Sequence, residues 1–365
     1  MRSLRSITLL LSLLTALLAG AQATPSAATS SVRQAAAADC TSETTHCMFL
    51  PWMRVPAFPP TFQPLGSVSG NISAVELSGA YAYIGRDNEL LIIDVSDPLQ
   101  PREVGTYQFQ GLGLPSIVDI EVQPPLAYVS TFERVSSCCM DTRVYLLNVG
   151  QPAQPQLLAS TSELGGADIE VVDQRVYAAG PRWSAPWPDL VIADVVGSSS
   201  LFRRGSYGND GSWSVAVNGS IVYVTDNEHG ILVIDAADPD SPKLLQAIST
   251  PHMPYSMDID GSNLYVAMVN TLAVYDISTP QAPAVRSIRE MLGFPADLEV
   301  ANGWAYVGLS SVGLSILDVR NPEIPELVTS YPPPGQGQVN ALEVDGSLLY
   351  LATSNGLHIV RVTAQ

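Results

Sequence analysis

The chain has 365 residues, 46% hydrophobic and only 14% charged, so it can bury a large core and is not disordered. Its 35 acidic residues outnumber 17 basic ones, and the net charge of −18 argues against nucleic acid or an anionic membrane as a partner. Twenty-eight prolines and 27 glycines point to many short elements joined by tight turns.

Residues 1–23 read MRSLRSITLLLSLLTALLAGAQA. Two arginines, an apolar run and Ala21-Gln22-Ala23 make a secretory signal cut after Ala23. An uncleaved anchor helix is the rival reading. Loss of Arg2 and Arg5 takes the charge from −18 to −20. No second apolar run of membrane length follows. The stretch TPSAATSSVRQAAAA opens a flexible or partly packed segment over 24–61, in which PWMRVPAFPP is apolar enough to pack.

Four cysteines in an exported chain predict two disulfides. Either Cys40–Cys47 closes a small loop beside a vicinal Cys138–Cys139 pair, or the tail is stapled to the 132–143 loop. Zinc is the rival, but adjacent cysteines are not a usual ligand spacing.

From residue 62 onward the chain repeats itself. Apolar runs end at Asp94, Asn148, Asp194, Asp235, Asp276, Asp318 and Arg361, with spacings of 54, 46, 41, 41, 42 and 43. A period near 42 marks a repeat architecture. Each unit reads as strand A, a two-residue turn, strand B, a loop, strand C, a Pro-x-x-Pro loop and strand D. The turns, such as Asn218-Gly219, Asp260-Gly261 and Asp345-Gly346, supply the positive φ that tight hairpins need. Four antiparallel strands repeated seven times predict an all-β, seven-bladed propeller over 62–365. The first prolines (98, 239, 280, 322) shape the C–D turn, and the second ones (101, 242, 283, 325) blunt the start of an exposed edge strand. The anchor Asp accepts hydrogen bonds from the turn backbone. The seventh unit supplies strands A–C only, so FQPLGSVS (62–69) is predicted to complete its blade and close the ring.

The runs LLIIDVSDP, ILVIDAADP and LSILDVRNP resemble the LVIVD repeat family of bacterial exported and surface proteins. The resemblance covers about residues 62–365 and implies a propeller, but it carries no catalytic signature. The Gly-His and Trp-Asp dipeptides of WD40 propellers are absent.

Two places could carry chemistry. One column of strand A reads Glu76, Glu121, Glu170, Ala216, Asp258, Glu299, Glu343, and the column two residues earlier reads Ala74, Asp119, Asp168, Ser214, Ser256, Asp297, Ala341. Residues two apart share a face, so an innermost strand A crowds these acids around a central channel. They predict either a cation, Ca²⁺ by its preference for oxygen, held by Asp119, Glu121, Asp168, Glu170, Asp297 and Glu299, or a wet channel whose carboxylates bond to N–H groups of the neighbouring blade. The second place is a loop face. The long segments 130–143, 179–189, 110–116 and 207–213 gather over blades 2–4 and carry Trp183, Trp187 and Trp213 with Arg134, Arg143 and Arg182.

The four histidines (46, 229, 252 and 358) pair with no nucleophile motif. The leading expectation is a monomeric, exported, non-enzymatic module that binds a protein or glycan at the cell surface. A secreted polysaccharide hydrolase or lyase using channel-mouth acids such as Asp119 and Asp168 is the alternative. A purely structural part of an envelope assembly is a third.

Overall fold

The computed structural model describes residues 59–363 apart from 111–114, 135–139, 165, 181–187, 198 and 311–312. The stretch 1–23 read as a signal, all four cysteines and most of 24–61 lie outside the described residues. Among those described, no helix is long and apolar enough to cross a membrane.

The N-terminal strand β1 (Thr61–Ser69) precedes six complete units. Blade 1 is β2–β5 (Ile72–Ser78, Tyr81–Arg86, Glu89–Asp94, Arg102–Gln108), and blade 2 is β6–β9 (Ser116–Gln123, Leu126–Arg134, Met140–Asn148, Gln156–Thr161). Blade 3 is β10–β13 (Asp168–Val172, Arg175–Ala179, Leu190–Val196, Ser200–Tyr207), and blade 4 is β14–β17 (Val215–Asn218, Ile221–Asp226, Gly230–Asp235, Lys243–Ile248). Blade 5 is β18–β21 (Pro254–Asp260, Asn263–Met268, Thr271–Asp276, Ala284–Glu290), and blade 6 is β22–β25 (Pro295–Ala301, Trp304–Leu309, Gly313–Asp318, Glu326–Tyr331). Blade 7 joins β26–β28 (Val339–Asp345, Leu348–Thr353, Gly356–Thr363) to β1, in the order β1-β28-β27-β26. Seven four-stranded antiparallel sheets therefore form the predicted propeller, and β1 closes it by pairing Thr61 with Thr363 and Ser69 with Gly356.

The first strands of the blades pack on one another in sequence from β2 to β26, and β26 packs back on β2. Strand A is therefore innermost. One apolar cluster fills each of the seven interfaces between successive blades, for example Tyr83, Ile92, Ile120 and Val129 between blades 1 and 2. The middle strands are buried on both faces, which is why they read as continuous Val/Ile/Leu runs.

The A–B turns sit one residue later than the dipeptides suggest. Asn218 pairs with Ile221 in the ladder, so the loop is Gly219-Ser220, and only the glycine has positive φ (65°). Asn302-Gly303 does place both loop residues there, at 56° and 79°. The segment 130–143 is mostly not a loop: β7 and β8 run on as a paired hairpin to Arg134↔Met140.

The anchor residues do cap the C–D turn. Asp94, Asn148, Asp235, Asp276 and Asp318 each accept the backbone N–H two residues on, at 2.8–3.1 Å. The prolines do more than blunt an edge. The Pro98, Pro152 and Pro239 carbonyls lie against Gly66, Gly105 and Gly205 on the outer strand of the preceding blade. In blade 5 the Ser287 hydroxyl donates to the Pro322 carbonyl at 2.6 Å instead. Arg204 forks onto Asp240 and Arg286 reaches Glu323 across the same junctions. Four of the five Pro-x-x-Pro loops thus clasp the outer strand of the preceding blade, and the Pro280 carbonyl accepts instead from the Tyr223 hydroxyl of blade 4.

A Cβ on Gly105 would collide with the Pro152 carbonyl oxygen. Gly105→Ala is expected to lower stability by about 1–3 kcal/mol, the cost of forcing two backbones apart. Urea unfolding checks this, and a loss below about 0.5 kcal/mol, within the range of an ordinary surface change, would show that the clasp is loose.

Candidate functional site: the acid-lined channel and its mouth

Strand A is the inner edge of its sheet, so every second N–H along it points into the channel without a ladder partner. The two acid columns meet that need. Asp119 accepts from Ile169 N (2.7 Å), Asp168 from Val215 N (2.9 Å), Asp258 from Val300 N (2.6 Å) and Asp297 from Leu342 N (2.8 Å). Asp258 shares its layer with Glu170, one down from the other three: Glu170 accepts from Val217 N at 2.7 Å, and Glu76 and Glu299 take the Val122 and Val344 amides. Every acceptor lies on one blade and its donor on the next. Ser214 substitutes for an acid by accepting from Met257 N at 3.1 Å. These carboxyls thus engage amides of the neighbouring blade.

Two adjoining cavities of about 560 and 310 Å³ follow the channel and share Asp119, Glu121, Asp168, Asp258 and Asp297. No basic side chain lines either one among the described residues. Burial pushes the carboxyls up, and their mutual repulsion adds to it. Glu170 rises to about 8, from burial and then from Asp168. Glu299 rises to about 9, from burial and then from Asp297 and Asp258, and Asp297 rises to about 6. Glu76, Asp119, Glu121 and Glu343 rise strongly for the same reasons. Glu299 Oε2 is buried and has no hydrogen-bond partner.

The mouth holds residues that alternation hides. Register shifts in β6, β18, β22 and β26 leave Val118, Tyr255, Ala296 and Asn340 as bulge residues. A bulge re-aims its side chain, and all four line the larger cavity, joined by Ala167 and Trp213. Trp213 lies 5.9 Å from Tyr255, ring centre to ring centre, and Tyr255 lies 4.3 Å from Phe294. Trp213 Nε1 donates to Asn227 at 2.9 Å, and Phe294 is 43% exposed. Reading the column before the first acid column, Ser73, Val118, Ala167, Trp213, Tyr255, Ala296, Asn340, would have found the mouth.

Of the two loop-face residues whose side chains are described, Trp213 and Arg143, Trp213 meets this site. Trp183, Trp187, Arg182 and the Arg134 side chain lie outside the described residues. Arg143 pairs with the buried Glu133 at 3.4 Å, and Tyr145 donates to the same carboxylate. That guanidinium is tied into the β7–β8 hairpin. On the same loop face, burial first and then Asp226 and Asp210 push Asp189 up to about 6. His229 and His252 line a separate cavity of about 240 Å³.

Residues 69–108, 211–250, 255–288 and 293–332 match the LVIVD repeat. Four stretches of the chain match it. They are blades 1, 4, 5 and 6, and three of them, blades 4–6, supply the aromatic mouth. The computationally designed Ika8 protein is similar in structure over 83% of this chain and 98% of its own, at 12% identity and a TM-score of 0.54. Chaetomium thermophilum Raptor is similar over 85% of this chain but only 30% of its own, at 11% identity and a TM-score of 0.63. Such identities show the fold alone, and because 1076 solved chains are similar, the fold assigns no activity. No curated protein matches the sequence.

The raised carboxyls fix how stability responds to pH. Each keeps its proton in the folded chain where the unfolded chain, near the ordinary 4.5 for Glu, has lost it. The folded state binds more protons, so stability falls as pH rises through the window from about 4.5 to about 9. Asp194 and Asp240, held below their ordinary value by Arg175 and Arg204 respectively, lose their contribution only in stronger acid. The melting temperature is expected to be lower at about pH 8.5 than at about pH 5.5, with Glu170→Gln removing part of the fall. A flat or rising profile would mean that the channel acids ionise freely.

Proposed function

We propose that this chain is an exported, non-enzymatic binding module whose channel mouth takes a basic side chain of a protein partner. The observation that carries this is the union of an aromatic row, Trp213, Tyr255 and Phe294, with a channel lined by carboxylates and by no described basic group. A lysine or arginine entering there meets ring faces first and carboxylates below, and both favour a cation. The net charge of −18 steers such a partner toward the surface. Propellers with LVIVD repeats suit this role because ring closure leaves the loop face rigid. The N-terminal secretory pattern supports export, to the medium or the surface of a bacterial cell.

The rival, a polysaccharide hydrolase or lyase, has weaker support. Asp119 has both oxygens bound to backbone N–H groups, of Ile120 and Ile169, and the pair partner Asp168 is held by Val215. A catalytic acid or base needs an oxygen free to reach substrate.

Arrays of basic, neutral and acidic peptides beside a glycan panel test the reading. Basic peptides are expected to bind, with Trp213→Ala and Tyr255→Ala each weakening binding about tenfold, as loss of one cation–π contact should. Selective binding or cleavage of glycans, with indifference to both substitutions, would overturn it.

A further inference from the structure

A second acid cluster lies on the loop face, outside the channel. Asp189 leads into β12 of blade 3, Asp210 sits in the loop from blade 3 to blade 4, and Asp226 ends β15 of blade 4. One carboxylate oxygen from each lies within 4.8 Å of the other two. Asp189 and Asp226 are 1% and 2% exposed.

The hydrogen bonds leave one fully buried oxygen of the cluster without a partner. Asp226 Oδ1 accepts from Glu228 N at 2.9 Å and His229 N at 2.5 Å, and lies 2.9 Å from His229 Nδ1. Asp226 Oδ2 is buried and has no partner. Asp189 Oδ1 is held by Asp210 N at 2.8 Å and Gly211 N at 2.6 Å. Among the described residues no lysine or arginine pairs with any of the three. Among the described residues His229 is the one neighbour that could carry a positive charge, 2.9 Å from Asp226 and 4.0 Å from Asp210, with a side chain 53% exposed.

An uncompensated buried carboxylate oxygen is costly, and three acids crowded together multiply the cost. A hard divalent ion removes it. Calcium binds oxygens at about 2.4 Å, so oxygens up to about 4.8 Å apart can share one ion, and water can fill its remaining positions. We propose that Asp189, Asp210 and Asp226 form a calcium site that staples the loop between blades 3 and 4 to the strands on either side. The oxygen atom without a protein partner is a calcium ligand. Glu228, grouped with Asp210 and His229 in the same way, is placed to act as an outer ligand.

The test uses the purified chain, stripped with EDTA, and follows melting temperature and calorimetric binding with Ca²⁺, Mg²⁺ and Zn²⁺. Calcium at about a hundredfold excess over Kd is expected to raise the melting temperature by about 4 °C. Asp226→Asn keeps the shape and the Oδ1 contacts. It should melt at or above the wild-type temperature without calcium and lose at least about tenfold in affinity, because one charged ligand is gone. The channel variant Glu121→Gln should respond like wild type. No response to millimolar calcium, an undiminished response in Asp226→Asn, loss of the response in Glu121→Gln, or a response to zinc alone would each overturn the assignment.

Discussion

An inner sheet edge cannot be left with bare amides, and the rest of this propeller follows from how that need is met. Strand A faces the channel with N–H groups that no ladder reaches. Seven blades arranged radially bring the side chains of one inner strand beside those amides of the next. A carboxyl oxygen there accepts a bond worth about 0.5–1.5 kcal/mol when the group holds its proton and about 1.5–3 kcal/mol when it is ionised, whereas an amide left buried and unpaired costs about 1–3 kcal/mol. The same bonds stitch blade to blade. Their consequence is a crowd of acids in a narrow space, whose carboxyls titrate far above their ordinary range. Structure and electrostatics of the channel are therefore one problem with one solution.

Two belts result, with apolar packing between them. The inner belt is carboxylate to amide, as in Asp297 to Leu342. The outer belt is proline carbonyl to edge strand, as in Pro152 against Gly105. The belts are weakest where the ring closes. Ala341 and Ala74 hold the acid positions of blades 7 and 1, and Glu76 and Glu343, whose like charges would repel, share a hydrogen bond there. Other contacts compensate. Asn340 Nδ2 donates to the Ile72 carbonyl at 2.7 Å, Gly66 of β1 takes the Pro98 carbonyl, and a full apolar cluster spans the junction. Closure is carried by β1 pairing with β28 rather than by the inner acids.

Much of this was legible in the sequence, because repeats print the same physics seven times. The anchor Asp, the Pro-x-x-Pro loop, the strand order, the closing strand and the two acid columns all follow from spacing and alternation. What alternation hides is what breaks it. Tyr255 and Asn340 line the mouth because a bulge turns them inward, and strand alternation alone does not announce a bulge, although it recurs in the same column of five blades. Asp189, Asp210 and Asp226 lie in different strands and loops of two blades, so no linear pattern joins them. The partnership of Gly105 with Pro152 likewise lies between blades, where a repeat read unit by unit is blind.

The claim that inner carboxylates cap the neighbouring strand is tested most directly by amide exchange after removal of one of them. In Asp297→Ala the Leu342 amide should exchange at least about tenfold faster than in the parent, while ladder amides of the same blade keep their protection. Unchanged protection at Leu342 would show that the amide is satisfied some other way, and the inner belt would no longer explain the ring.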